Sequence, residues 1–318
     1  MRKVIFLFVV LITTYCTVFA SNQNDTTFNE EQIILKTESG DIFGTLLLPE
    51  KRDNIPIAII IAGSGPTDRN GNNPSMKNDC LKKLANELSF HNIASLRYDK
   101  RGIAESKVSG KKEIDLRFDD YVDDVIGWLK LFKHDKRFTK VIIIGHSEGS
   151  LIGMVASAIE PPNMFISIAG AGKSADLLLK EQLKSQPKEI IDISFPIIDS
   201  LKLGITYENV NPILFSLFRP SVQPYMISWF KYDPQIEISK LNIPVLIIQG
   251  TNDIQISTED ATLLSKSNQN SQLVQIDSMN HIFRIVENDM LINVSTYNNE
   301  TLPISKELVK SIVDFVLN

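Results

Sequence analysis

The sequence predicts an α/β fold, a mostly parallel β-sheet with helices on both faces and a helical insertion, and three observations predict it. Short β-rich runs alternate with helical periodicities through two long stretches of the chain, which is the pattern of strands joined by covering helices. Residues 57–61 and 141–144 are apolar without interruption, as suits strands buried on both faces. Between about residues 173 and 240 this strand grammar stops and a Pro- and aromatic-containing segment takes its place. With 318 residues, 43% of them hydrophobic, the chain can bury a full core.

In chain order, residues 33–35 and 43–48 flank the turn Ser39-Gly40-Asp41 and read as an opening hairpin. Residues 57–61 form the next strand, followed by a polar, Gly/Asn/Pro-rich loop over 63–74, a helix over 79–90 and a strand over 93–97. Phe118, Val122, Val125, Leu129 and Phe132 step by four, three, four and three and line one helix face. The strand over 141–144 leads into a helix through Leu151, Met154, Val155 and Ala158 that stops at Pro161-Pro162. A strand over 165–168 closes the first core part, residues 21–172. Residues 241–318 resume the alternation: strand 245–248, helix 258–266, strand 273–276, and a closing helix marked by Leu308, Ile312 and Phe315. The insertion, 173–240, carries Phe195, Phe215, Phe218, Tyr225, Trp229 and Phe230 and is expected to act as a lid whose inner face forms an apolar pocket.

Residues 1–20 read as a secretory signal peptide: Arg2 and Lys3 precede an apolar run, and Val18 and Ala20 offer small-residue cleavage positions. The mature chain is then expected to begin near Ser21, outside the cytoplasm, either secreted or periplasmic. A lipidated Cys16 and an uncleaved anchor are the alternatives. No later segment is long and apolar enough to span a bilayer. Loss of Cys16 leaves Cys80 alone, so no intrachain disulfide forms, and the helical spacing of Leu81, Leu84, Ala85 and Leu88 around it marks a buried structural thiol. A net charge of −5 argues against a nucleic-acid binder. No His/Cys cluster has metal-ligand spacing, and no cofactor is called for.

The chemistry concentrates at Gly145-His146-Ser147-Glu148-Gly149, a G-x-S-x-G pattern lying where a strand hands over to a helix, the context this nucleophile elbow requires. A serine hydroxyl needs a base, normally an imidazole held by a carboxylate. Of four histidines, His91, His134 and His146 read as surface or packing residues, whereas His281 follows the last strand at the carboxyl edge of the sheet. The loop after the preceding strand, Gln249-Gly250-Thr251-Asn252-Asp253, offers Asp253; Asp260 and Asp277 are weaker candidates. The chain order is therefore Ser147, Asp253, His281, which is nucleophile, acid, base.

On these motifs the chain resembles the α/β-hydrolase fold superfamily, in particular its carboxylesterase and serine-aminopeptidase-like branch. Gly250-Thr251-Asn252-Asp253, Met279-Asn280-His281 and Asp99-Lys100-Arg101-Gly102-Ile103-Ala104-Glu105-Ser106 add to it. The last is similar to that superfamily's D-x-R-G-x-G-x-S loop with Ala104 in place of the second glycine, and Arg101 reads as part of a supporting turn. The run from Pro66 to Gly71 resembles a loop of such esterases and reads as a polar turn.

An oxyanion hole needs two backbone amides. One is expected from Glu148, after the nucleophile, and the other from the loop Ala62-Gly63-Ser64-Gly65-Pro66, where Ser64 is chosen, Gly65 comes next and Pro66 has no N–H. The expected function is hydrolysis of a small-molecule carboxylic ester through an acyl-enzyme on Ser147. A peptidase or amidase, and a non-catalytic binder on the same scaffold, are the rivals; an oxidoreductase lacks its G-x-G-x-x-G fingerprint.

Overall fold

The computed structural model describes residues 28–109 and 111–318; the leader, residues 1–20, lies outside them. Eight strands form one sheet: β1 (Asn29–Thr37), β2 (Gly40–Leu48), β3 (Ile55–Ile61), β4 (Ala94–Tyr98), β5 (Phe138–His146), β6 (Met164–Ile168), β7 (Val245–Gly250) and β8 (Ser271–Ile276). Their spatial order is β1-β2-β4-β3-β5-β6-β7-β8. The hairpin β1–β2 and the pair β2–β4 are antiparallel, and every later pair is parallel. The α/β class read from the alternation is the one observed.

The strand side chains divide between two cores because successive Cβ atoms point to opposite faces. From β3, Ile57, Ile59 and Ile61 join one core, while Ala58 and Ile60 join the other. Helices α1 (Cys80–Phe90) and α11 (Lys306–Leu317) cover the second face through Leu84, Leu88, Leu308 and Ile312. Helices α2 (Phe118–Lys133), α3 (Glu148–Ile159) and α9 (Thr258–Ser267) cover the first. The α2 stripe Phe118, Val122, Val125, Leu129 and Phe132 is buried throughout, each such side chain contributing about 1.5–3 kcal/mol of transfer free energy. Cys80 is buried and free, and burial pushes its thiol up to about 12, so it stays a neutral packing group.

Between β6 and β7 the chain leaves the sheet and forms α4 (Ala175–Leu183), α5 (Lys188–Lys202), α6 (Phe215–Phe218), α7 (Gln223–Trp229) and α8 (Pro234–Ser239). Their apolar residues, among them Ile197, Phe218 and Met226, continue the first core. A short helix, α10 (Met290–Ser295), sits between β8 and α11. No helix among the described residues is long and apolar enough to cross a membrane. Because β4, β3, β5, β6, β7 and β8 run in one direction, the loops that follow them all emerge at one edge, where α/β sheets bind ligands.

Candidate active site

Ser147 stands between the end of β5 and the start of α3, with φ 56° and ψ −122°. A non-glycine residue held in such a region is strained, and the surroundings must enforce it. Here the Ser147 amide donates to Ile168 O at 3.0 Å. The turn also requires two glycines: a Cβ on Gly145 would lie 2.4 Å from Gly149 O, and one on Gly149 would lie 2.4 Å from Ile61 O. Close backbone approach explains the small residues on each side of the serine.

Asp253 and His281 arrive on the loops after β7 and β8. Those loops are stitched together by the Thr251 amide on Ile276 O and the Asn252 amide on Met279 O, both 3.0 Å. His281 Nδ1 donates to Asp253 Oδ2 at 2.8 Å, with both side chains at most 5% exposed. Asp253 also accepts from the amides of Gln255 and Ile256 and from Gln249 Nε2. Burial opposes its ionisation, but the imidazole and these amides outweigh that cost and hold the carboxyl below its usual range. With Nδ1–H committed to the carboxylate, Nε2 is the bare nitrogen and can accept a proton. Asp260, by contrast, caps α9 and accepts from Gly172 N, while Asp277 bonds Thr251 and Ser278.

His146 joins the elbow to the base loop. Its Nε2 meets His281 O at 2.9 Å; a carbonyl only accepts, so Nε2 carries the hydrogen. Its ring lies 4.8 Å from that of His281 and 4.9 Å from that of Phe283. Among the described residues, no hydrogen bond joins Ser147 Oγ to His281 itself. Hydrogen bonds of this kind commonly tighten only in the substrate complex. His91 and His134 are exposed residues capping α1 and α2.

Burial first, and then the neighbouring His281, push His146 down to about 3 from 6.5, which fixes the sign of a pH effect. Between these values the unfolded chain binds more protons, so stability falls as pH drops from 6.5 towards 3. Going from pH 7 to pH 5, the protein is expected to lose about 2 kcal/mol through this residue. His146→Gln, whose amide can still donate to His281 O, is expected to lose correspondingly less. Urea unfolding at the two pH values checks this, and equal losses in both proteins refute it.

The loop after β3 abuts the elbow: a Cβ on Gly63 would lie 3.1 Å from Ser147 Cβ. Neither the Ser64 nor the Glu148 amide has a protein acceptor among the described residues, so both donors are free. The loop after β4 is buried and ionic. Arg69 donates to Asp99 at 2.6 Å, and Arg101 is paired with Asp124 of α2 and bonded to Ser39. Arg101 thus braces the loop against α2 and the opening hairpin. Lys100, buried between them, donates to Gly63 O at 2.5 Å and to Glu148 Oε2 at 3.1 Å. Tyr225 of α7 donates to Glu148 Oε1 at 2.6 Å; burial and then that carboxylate push its phenol well up, so it stays protonated. A cavity of about 890 Å³ opens above these groups, lined by Ser64, Ser147 and Glu148 on the sheet side and by Leu178, Met226 and Trp229 of the insertion. Among the described residues no group of three or more His, Cys, Asp or Glu side chains is placed to hold a metal ion.

Solved structures with this architecture cover nearly all of the chain. Est1E from Butyrivibrio proteoclasticus, determined with bound ferulic acid, superposes with a TM-score of 0.62 over 90% of this chain and 99% of that one, at 17% identity. The α/β hydrolase GrgF from Penicillium sp. sh18 gives 0.61 over 91% and 98%, at 16% identity. The chain has the α/β-hydrolase fold. Residues 77–196 match the family model described as serine aminopeptidase, S33. The chain is also 24% identical over 256 residues to the esterase EstD of Thermotoga maritima. That match takes in 75% of this chain and 57% of the relative, so the chain spans a little over half the relative's length. The similarities are thus to esterases and to a serine aminopeptidase family model.

The sequence points to Ser147, Asp253 and His281 and gives no role to Lys100 or Tyr225. Lys100 lies inside the loop motif from Asp99 to Ser106, but only its burial beside Glu148 sets it apart. Tyr225 stood among the aromatics of the insertion with nothing to distinguish it from them.

Proposed function

We propose that this protein cleaves small-molecule carboxylic esters through an acyl-enzyme on Ser147, and that it does so outside the cytoplasm. The observation that carries the reading is the buried 2.8 Å bond from His281 Nδ1 to Asp253, which leaves Nε2 without the hydrogen and able to act as the base. In the first half-reaction Ser147 Oγ gives its proton to His281 Nε2 and attacks the carbonyl carbon, and the oxyanion is held by the Ser64 and Glu148 amides. The alkoxide then leaves with the proton from His281, and water releases the acid by the same base. Helices 175–239 serve as the lid, their apolar side chains taking up the acyl group.

The match to a serine aminopeptidase model supports a second reading, cleavage of aminoacyl amides. Recognition of a substrate α-ammonium group calls for an unengaged carboxylate. The two carboxylates on the cavity wall are both engaged, Glu148 by Lys100 and Tyr225, and Glu113 by Arg219 and Ser221. That favours the ester. Export rests on Arg2, Lys3 and the apolar run after them.

One preparation tests the whole reading. Protein recovered from the medium or periplasm, with an N-terminus near Ser21, is expected to react with a fluorophosphonate and to hydrolyse nitrophenyl acyl esters in preference to aminoacyl nitroanilides. Ser147→Ala is expected to lose both. Preferential turnover of the anilides would move the assignment to the peptidase, and a folded wild type that neither labels nor turns over would make the protein a binder.

A further inference from the structure

A buried ammonium group connects the two amides assigned to the oxyanion hole. Lys100 is 1% exposed. Its three N–H donors meet Gly63 O at 2.5 Å, Glu148 Oε2 at 3.1 Å and the face of Tyr121, whose centroid is 5.1 Å away. Stability gives little reason for such an arrangement, since a buried ion pair is often no better than apolar side chains of the same volume. Its partners are what single it out.

Gly63 C=O and Ser64 N–H belong to one peptide unit. The described chain contains no cis peptide, so this unit is planar and trans and its C=O and N–H point in opposite directions. A cation holding the carbonyl therefore fixes where the Ser64 amide points, and by drawing electron density towards the oxygen it makes that N–H a stronger donor. The other contact acts on the second amide. Glu148 supplies that N–H from the first position of α3, and its own carboxylate would repel a developing oxyanion unless compensated. Lys100 compensates one carboxylate oxygen, and Tyr225, from the insertion, holds the other.

We propose that Lys100 is a positioning residue for acyl transfer: it orients and polarises the Gly63–Ser64 peptide and neutralises Glu148, so that both oxyanion amides are preset before charge develops. The proposal rests on the serine-hydrolase reading above. Tyr225 extends the same network to α7, so a shift of the insertion is felt at the oxyanion site.

The test compares the wild type with Lys100→Met and with Lys100→Met/Glu148→Gln. The double variant removes both members of the buried pair and so remains foldable where the single one leaves Glu148 uncompensated; thermal melting verifies folding. For a nitrophenyl ester, kcat is expected to fall about 10- to 100-fold, somewhat less than for loss of an oxyanion donor itself. KM is expected to stay within about threefold, because the oxyanion contact is made only in the transition state. Affinity for a trifluoromethyl ketone, which forms an anionic hemiketal on the serine, is expected to fall in parallel with kcat/KM. Ser147-dependent turnover near the wild-type level in a folded variant overturns the proposal while leaving the esterase reading intact. So does a loss of kcat with unchanged ketone affinity, the mark of a purely structural role. A wild type without Ser147-dependent turnover defeats both.

Discussion

On the proposed function, His281→Ala is expected to lower kcat for ester hydrolysis by about four orders of magnitude or more, the scale on which removing the base of a serine triad acts. Among the described residues the imidazole is the only group bonded to Asp253 with a nitrogen lone pair able to accept a proton; the other partners are the Gln249 amide and the Gln255 and Ile256 N–H groups. No remaining side chain in that cluster can substitute for it. The backbone carbonyl that receives His146 Nε2 survives the substitution, so the base loop keeps its attachment to the elbow and the protein is expected to fold. Stopped-flow or steady-state kinetics, with fluorophosphonate labelling in parallel, reads the result. Retention of a tenth of the wild-type activity in folded protein would remove His281 from the mechanism.

Asp253→Asn is the sharper experiment because it changes almost no volume. The side-chain oxygen that accepts from Gln255 and Ile256 is preserved, which holds the turn between β7 and α9. The other oxygen becomes an NH2 facing His281 Nδ1 and Gln249 Nε2. Two donors then oppose one another, and the imidazole is relieved by moving its hydrogen to Nε2, the nitrogen that must be bare to accept the Ser147 proton. Turnover at neutral pH is expected to fall about 10⁴-fold, with the melting temperature near that of the wild type. Unchanged kcat would show that the carboxylate serves the loop and not the base.

The same residues show how far reading along the chain could go. Strand β3 was legible because an unbroken apolar run is what burial on both faces demands. For β1 only residues 33–35 carried a signal; its full span, Asn29–Thr37, is held by pairing from Asn29 with Leu48 to Thr37 with Gly40, which is backbone bonding that leaves no apolar mark. Helix α10 carries no legible apolar stripe, because Met290, Leu291, Ile292 and Val294 are all exposed and its buried residue is the polar Asn293. Inside the insertion the aromatics were visible but the five helices were not, since their boundaries are set by packing on α2 and α3 as much as by local propensity.

His281 and Asp253 could be named from order and position because a parallel sheet delivers its loops to one edge, so topology alone brings sequence-distant residues together. Lys100 could not. A lysine inside a polar loop reads as solvent-exposed, and nothing local says that Gly63, Glu148 and Tyr121 will close around it. Local patterning by itself therefore determined the alternation of strands and helices and the strand-to-helix elbow, and it pointed to candidate groups for chemistry. Only the tertiary structure decided which of those groups meet, which nitrogen of His281 is bare and where the buried cation sits. These depend on distances and desolvation between segments far apart in the chain, and neither quantity is written in the order of its residues.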